Sequence, residues 1–170
     1  MLLGKSELEK LISEHGLVQP YEASLVKSVH VDLRLSENIA RYSGPVDLKQ
    51  SSELENLKIN SDEGCELNPG DFIIGTTEEV VHIPQGYWGF IETKGNIARA
   101  GLSSHNTDGH IDPGYRGVIT LEIKNMNTVP VKIYPGATFV QLFVFEVKGD
   151  APLYEGKYQD STKPTPYIHD

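Results

Sequence analysis

From Cys65 onward the chain is broken by proline and glycine turns at near-regular spacing, and this constrains its fold more than any other feature. Asn68-Pro69-Gly70, Pro84-Gln85-Gly86, Asp112-Pro113-Gly114 and Pro135-Gly136 all favour tight turns. Proline presets one backbone dihedral, and glycine accepts the left-handed region that side chains disfavour. Between the turns lie the apolar runs DFIIGTT, EVVHI, YWGFIET, GVITLEIKN, VPVKIY and TFVQLFVFEV, read as six short strands. This spacing predicts an all-β sandwich or barrel, and no helix–strand alternation calls for a parallel sheet.

The first part of the chain is patterned differently. Residues 5–16 are predicted to form a short helix, with Ser6 and Glu9 at capping-box spacing, Leu8, Leu11 and Ile12 on one face, and Gly16 to end it. KSVHVDLRL (27–35) alternates Val29, Val31, Leu33 and Leu35 with polar residues, as a half-buried strand does. Residues 36–64 are polar and weakly patterned, a long surface excursion with room for one strand. The tail, STKPTPYIHD, holds two prolines and reads as an extended arm or a partly disordered segment. A length of 170 residues fits one domain, 1–170, with 159–170 as that C-terminal arm.

Charge and composition exclude several function classes. The chain carries 15 basic and 24 acidic residues, a net charge of −9, so a nucleic-acid backbone would be repelled. A small phosphorylated ligand stays open where a local basic cluster meets it. The single cysteine, Cys65, cannot form an internal disulfide or a CxxC site. No run approaches the ~20 apolar residues of a membrane span, and MLLGKSELEK does not resemble a signal peptide, so a cytoplasmic protein is expected.

Chemistry-bearing residues concentrate in 94–125. Lys94-Gly95-Asn96 ends a strand and leads into IARAGL, with Asn96 a suitable N-cap. A strand running through glycine into a helix start gathers free N–H groups that suit an anion, and Lys94 and Arg99 add positive charge. The ordinary alternative is a strand-to-turn junction with solvated charges. The segment 105–115, HNTDGHIDPGY, is dense in polar groups but does not fit a calcium loop, because Tyr115 falls where the bidentate glutamate belongs. A zinc site lacks HExxH or a second cysteine, and the zinc deaminases' H-x-E and P-C-x-x-C motifs are missing. Asp112, taken alone, is a turn former. In VITLEIKN, Ile119, Leu121 and Ile123 should face the core, with Thr120, Glu122 and Lys124 on the other face. A glutamate so placed ordinarily meets water; in a pocket, a desolvated carboxylate could move protons. No Walker P-loop, GxSxG elbow or GxGxxG occurs.

The run KGNIARAGL, HNTDGHIDPGYRGVITLEIKN, a following PG and QL, and YEGKYQ near the end resembles dCTP deaminase, within the wider dUTPase-like family. MLLGKSELEKLI and VHVDLRL fit that family's opening, so the resemblance covers nearly the whole chain. It implies a distorted β-barrel or jelly-roll, a homotrimer with active sites between subunits, and a Mg²⁺-bound deoxynucleoside triphosphate as ligand. It also implies deamination without zinc: Glu122 would activate the water that attacks C4 of cytosine, and Arg99 would help orient it. Asp112 would hold the deoxyribose 3′-hydroxyl. Lys94, Gly95, Asn96 and Arg99 would meet the phosphates. Thr120, Leu121 and Glu122 would read the base, partly through backbone groups. Tyr154, Lys157 and Ser161 match C-terminal residues that close over the ligand.

The chain departs from the family's usual pattern at Lys94-Gly95-Asn96, where Arg-Ser-Ser is usual, at Asp108, where an alanine is usual, and at Ser161, where a glutamine is expected. The expected reaction is dCTP to dUTP and ammonia. Two alternatives accompany it. One is dUTP cleavage to dUMP, either by a pyrophosphatase or by a bifunctional enzyme, which the DGHID segment resembles more closely. The other is a nucleotide-binding relative with weakened catalysis. Inhibition by dTTP, seen in some relatives, is left open by the sequence.

Overall fold

The structure is a computed structural model in which residues 1–169 are described. Helix α1 (Lys5–His15) opens the chain and buries Leu8, Leu11 and Ile12, the face that the apolar spacing marks. It ends at Gly16, whose N–H bonds back to Ile12 O at 3.0 Å. The capping box expected at Ser6 does not form: Gly4 is the N-cap and no side chain caps the helix.

The strands follow in order: β1 (Val18–Gln19), β2 (Val31–Tyr42), β3 (Leu54–Lys58), β4 (Cys65–Leu67), β5 (Phe72–His82) and β6 (Tyr87–Thr93). Helix α2 (Gly95–Arg99) precedes β7 (Leu102–Ser103), β8 (His110–Ile111), β9 (Arg116–Asn125), β10 (Val131–Ile133) and β11 (Thr138–Glu146). The main sheet runs β7-β9-β5-β2-β11-β6-β8, with β1 added on β5 and β3 on β2. Every named strand pair is antiparallel, and β4 and β10 form a small separate sheet. The sheet curls into a distorted half-barrel, the expected mainly-β class with one short N-terminal helix.

Two expected boundaries are redrawn. DFIIGTT and EVVHI are one strand, β5, rather than two, because a bulge between Thr76 and Val80 keeps both halves paired with β9. Thr77 makes the bulge tolerable: its hydroxyl accepts the Ile119 N–H at 2.9 Å and donates to Glu79 O at 2.7 Å, replacing lost ladder bonds. The second strand starts at Val31 and continues to Tyr42, into the stretch read as surface excursion. Ile39 and Ala40 there are buried, although the polar residues around them hide the alternation.

The core gathers Leu33, Leu35, Ile73, Leu121, Ile123, Phe139, Leu142 and Val144, each almost fully buried. Each such side chain contributes roughly 1.5–3 kcal/mol of burial. Two carboxylates are also buried and both are paired. Glu79 accepts from Arg34 Nε at 2.6 Å and from the Arg34 N–H at 2.8 Å. Asp32 Oδ2 accepts from Lys94 Nζ at 2.6 Å, and the same ammonium donates to Thr138 Oγ1 at 2.8 Å.

Candidate active site

A cavity of about 630 Å³ opens between β9, the segment 106–112 that includes β8, and the C-terminal arm. β9 builds its floor. Ile119, Leu121 and Ile123 point into the core, so the period of two turns Thr120 and Glu122 the other way, as the alternation predicts. Glu122 is half-buried, and its Oε2 accepts the Asn106 N–H at 2.9 Å. Its own N–H donates to Ser104 O at 3.0 Å, so main chain and carboxylate are both tied to the segment 104–106. The orientation of this carboxylate is therefore set before any ligand arrives.

Asp112 stands at the mouth of the same cavity, first in its Asp-Pro-Gly turn. The Tyr115 N–H closes the turn on Asp112 O at 3.2 Å, and Gly114 takes the positive φ of 85° that the turn requires. Tyr154 forms part of the wall, anchored by its N–H on Pro113 O at 2.7 Å and by edge contact with Tyr115. Burial pushes the Tyr115 phenol well above its ordinary value, which keeps it a neutral donor to Val118 O at 2.8 Å. Glu122, Thr120, Asp112 and Tyr154 are the expected site residues that the fold brings into one cavity.

The other expected residues lie elsewhere in this chain. Leu121 is fully buried, so only its backbone is available. Asn96 does not cap α2: Lys94 is the N-cap, and Asn96 Oδ1 accepts from the Ile97 N–H at 3.0 Å instead. The ammonium of Lys94 turns inward to Asp32 and Thr138 rather than outward to an anion. Arg99 is exposed on α2, and its Nη1 lies 3.4 Å from where a Cβ at Gly95 would be. Lys157 donates to Ile168 O at 2.6 Å and sits over the Tyr158 ring. Ser161 works as an anchor: its carbonyl accepts the Val118 N–H at 2.9 Å, and its hydroxyl meets Thr165 Oγ1 at 3.0 Å.

The fold also adds residues that sequence reasoning missed. Tyr42 and Phe72 stack with ring centroids 6.4 Å apart and line the cavity. Tyr167 closes the far side, holding Leu48 O through its hydroxyl at 2.8 Å and receiving the Ser52 N–H on its carbonyl at 2.9 Å. Such contacts span more than a hundred residues and leave no local pattern. Asp108 and His110 line the mouth beside Asp112.

The profile of the dCTP deaminase-like family matches residues 2–147. The chain belongs to that family. It is 36% identical over 179 residues to "dCTP deaminase, dUMP-forming" of Parafrankia sp. (strain EAN1pec), covering 98% of this chain and 89% of the relative. It is 33% identical to the protein of the same description from Corynebacterium glutamicum (strain R), covering 98% and 95% of the two chains. Among solved structures, 2′-deoxycytidine 5′-triphosphate deaminase from Agrobacterium tumefaciens shares the fold with a TM-score of 0.67 at 17% identity. That match covers 84% of this chain but only 47% of the other, so the chain spans about half its length. Among the described residues, no helix is long and apolar enough to cross a membrane.

Proposed function

We propose that the chain is a bifunctional dCTP deaminase of the cytoplasm that converts dCTP to dUMP, releasing ammonia and pyrophosphate. The observation that carries this reading is the placement of Glu122, Thr120 and Asp112 in one cavity of a chain whose curated relatives are dUMP-forming. The expected end product, dUTP, thereby becomes an intermediate.

In this reading the cytosine ring enters between Thr120 and the aromatic wall of Tyr154. Asn106 occupies Glu122 Oε2, which leaves Oε1 for a water. Water adds to C4 and passes one proton through Glu122 to ring N3. The C4 hydroxyl proton then passes through the same carboxylate to the exocyclic amine, the bond from C4 to that amine breaks, C4=O forms and ammonia leaves. Asp112 takes the deoxyribose 3′-hydroxyl. The nucleotide enters as its Mg²⁺ salt, which suits a mouth lined by Asp108 and Asp112, since those carboxylates repel a bare triphosphate.

Arg99 is exposed and does not line this cavity. It is well placed to serve a neighbouring subunit, which supports a homotrimer with sites completed across subunits. Incubation with Mg²⁺ and dCTP, with the products resolved, tests the reading. Ammonia, dUMP and pyrophosphate in equal amounts are expected; dUTP as end product, or no turnover, would contradict it.

A further inference from the structure

Asp108 and His110 are not explained by the deamination chemistry. Asp108, His110 and Asp112 follow one another at intervals of two residues, and the extended backbone through β8 turns all three toward the cavity. The backbone between them is firmly held. Gly109 O accepts the Ile91 N–H at 2.7 Å, and a Cβ at Gly109 would lie 2.5 Å from Ile91 O, so this corner must be glycine. His110 then pairs with Phe90 across β8 and β6.

The side chains form a chain of contacts. His110 Nδ1 is paired with Asp108 Oδ1, and His110 Nε2 lies 4.0 Å from Asp112 Oδ2. With Asp108 as acceptor, the neutral ring carries its proton on Nδ1 and presents Nε2 as an acceptor. A separation of 4.0 Å is too long for a direct hydrogen bond. It suits one bridging water that donates a hydrogen to each side, since two acceptors about 2.8 Å from the same water stand roughly 4–4.5 Å apart. The lone pairs of such a water point away from both acceptors, into the cavity.

We propose that His110, oriented by Asp108, is the general base of the second reaction, sharing with Asp112 the water that cleaves the α–β phosphoanhydride. The inference rests on the dUMP-forming reading. The water oxygen forms a bond to the α-phosphorus. The bond from that phosphorus to the bridging oxygen breaks, and its electron pair leaves with pyrophosphate. One water proton goes to His110 Nε2; the other stays on the monophosphate until it ionises. His110 is 51% exposed and returns its proton to solvent. Asp108 is a positioning residue: it touches the imidazole and not the substrate.

The test supplies dUTP and Mg²⁺ directly and measures pyrophosphate, with ammonia release from dCTP measured separately. H110F and H110Q are expected to lose about a hundredfold or more in pyrophosphate release, the scale of general-base catalysis. Ammonia release should stay within about threefold, so that dUTP accumulates from dCTP. Asp108→Ala should lower kcat for pyrophosphate release with little change in KM, and Asp108→Glu should recover part of the loss. Pyrophosphate release by H110F at the wild-type rate would overturn the inference and reduce Asp108–His110 to a surface ion pair. No pyrophosphate from dUTP with the wild type would overturn both the inference and the dUMP-forming reading. Pyrophosphate from dUTP without ammonia from dCTP would overturn deamination alone, and the H110F comparison would still decide the role of His110.

Discussion

Lys94 Nζ sits 2.6 Å from Asp32 Oδ2, so the residue that leads into α2 is bolted to the start of β2. Asp32 is 2% exposed and the Lys94 side chain 24%. Removing the ammonium strands a buried carboxylate, which costs about 3–5 kcal/mol in a fully buried pair and less here because Lys94 is partly solvated. Lys94→Met should therefore destabilise the fold by roughly 2–4 kcal/mol in urea unfolding. Adding Asp32→Asn should recover much of the loss, because no charge is then left unpaired. A single variant as stable as the wild type would show that the pair is not a structural bolt.

His30 is linked to the same cluster, 3.6 Å from Asp32 Oδ1, with Gln141 Nε2 at 2.7 Å from its Nε2. Burial is the largest effect and pushes its pKa below 6.5; Asp32 opposes the shift, while Lys94 and Lys27 add to it. The unfolded chain therefore binds the proton more readily than the folded one. Stability should be full above 6.5 and fall as the pH drops from there through the lowered folded value. His30→Gln should flatten that part of the stability profile. An unchanged slope would place the acid sensitivity elsewhere.

Gly95 leaves the helix start without a hydroxyl, yet a Cβ there would meet nothing nearer than Arg99 Nη1 at 3.4 Å, an ordinary contact. Gly95→Ser should fold normally and lower the KM for dCTP by about threefold to tenfold, the effect of one added hydrogen bond of about 1 kcal/mol. A raised KM would mean that the Arg99 guanidinium needs that space.

The C-terminal arm supplies Thr165, Pro166 and Tyr167 to the cavity wall. Ending the chain after Thr162 keeps the Ser161–Val118 anchor but opens that wall. KM for dCTP should rise about tenfold or more, equal to at least 1.4 kcal/mol of binding, with the melting temperature little changed. Unaltered KM would show that the arm is a passive covering.

The alternation in β9 made Glu122 and its face legible, because a period of two survives in a strand whose other face is core. The Asp-Pro-Gly turn was legible for the same local reason. Tyr42, Phe72 and Tyr167 were not, since β2, β5 and the arm converge only in three dimensions. The inward turn of Lys94 was equally hidden: its partner is 62 residues away on a strand that looked amphipathic and exposed at Asp32. The bulge in β5 escaped notice because Thr77 supplies by side chain the bonds that strand patterns assign to backbone. Arg99 was not separable from Glu122 in the sequence either: it lies exposed on α2, outside the cavity that Glu122 lines.

The most direct test of the account compares wild type and Glu122→Gln for ammonia release from dCTP in the presence of Mg²⁺, alongside dCTP binding. The account predicts that the wild type releases ammonia and that the variant loses about 10²–10⁴-fold in rate, while binding changes by less than about threefold. Ammonia release by Glu122→Gln at the wild-type rate would contradict it.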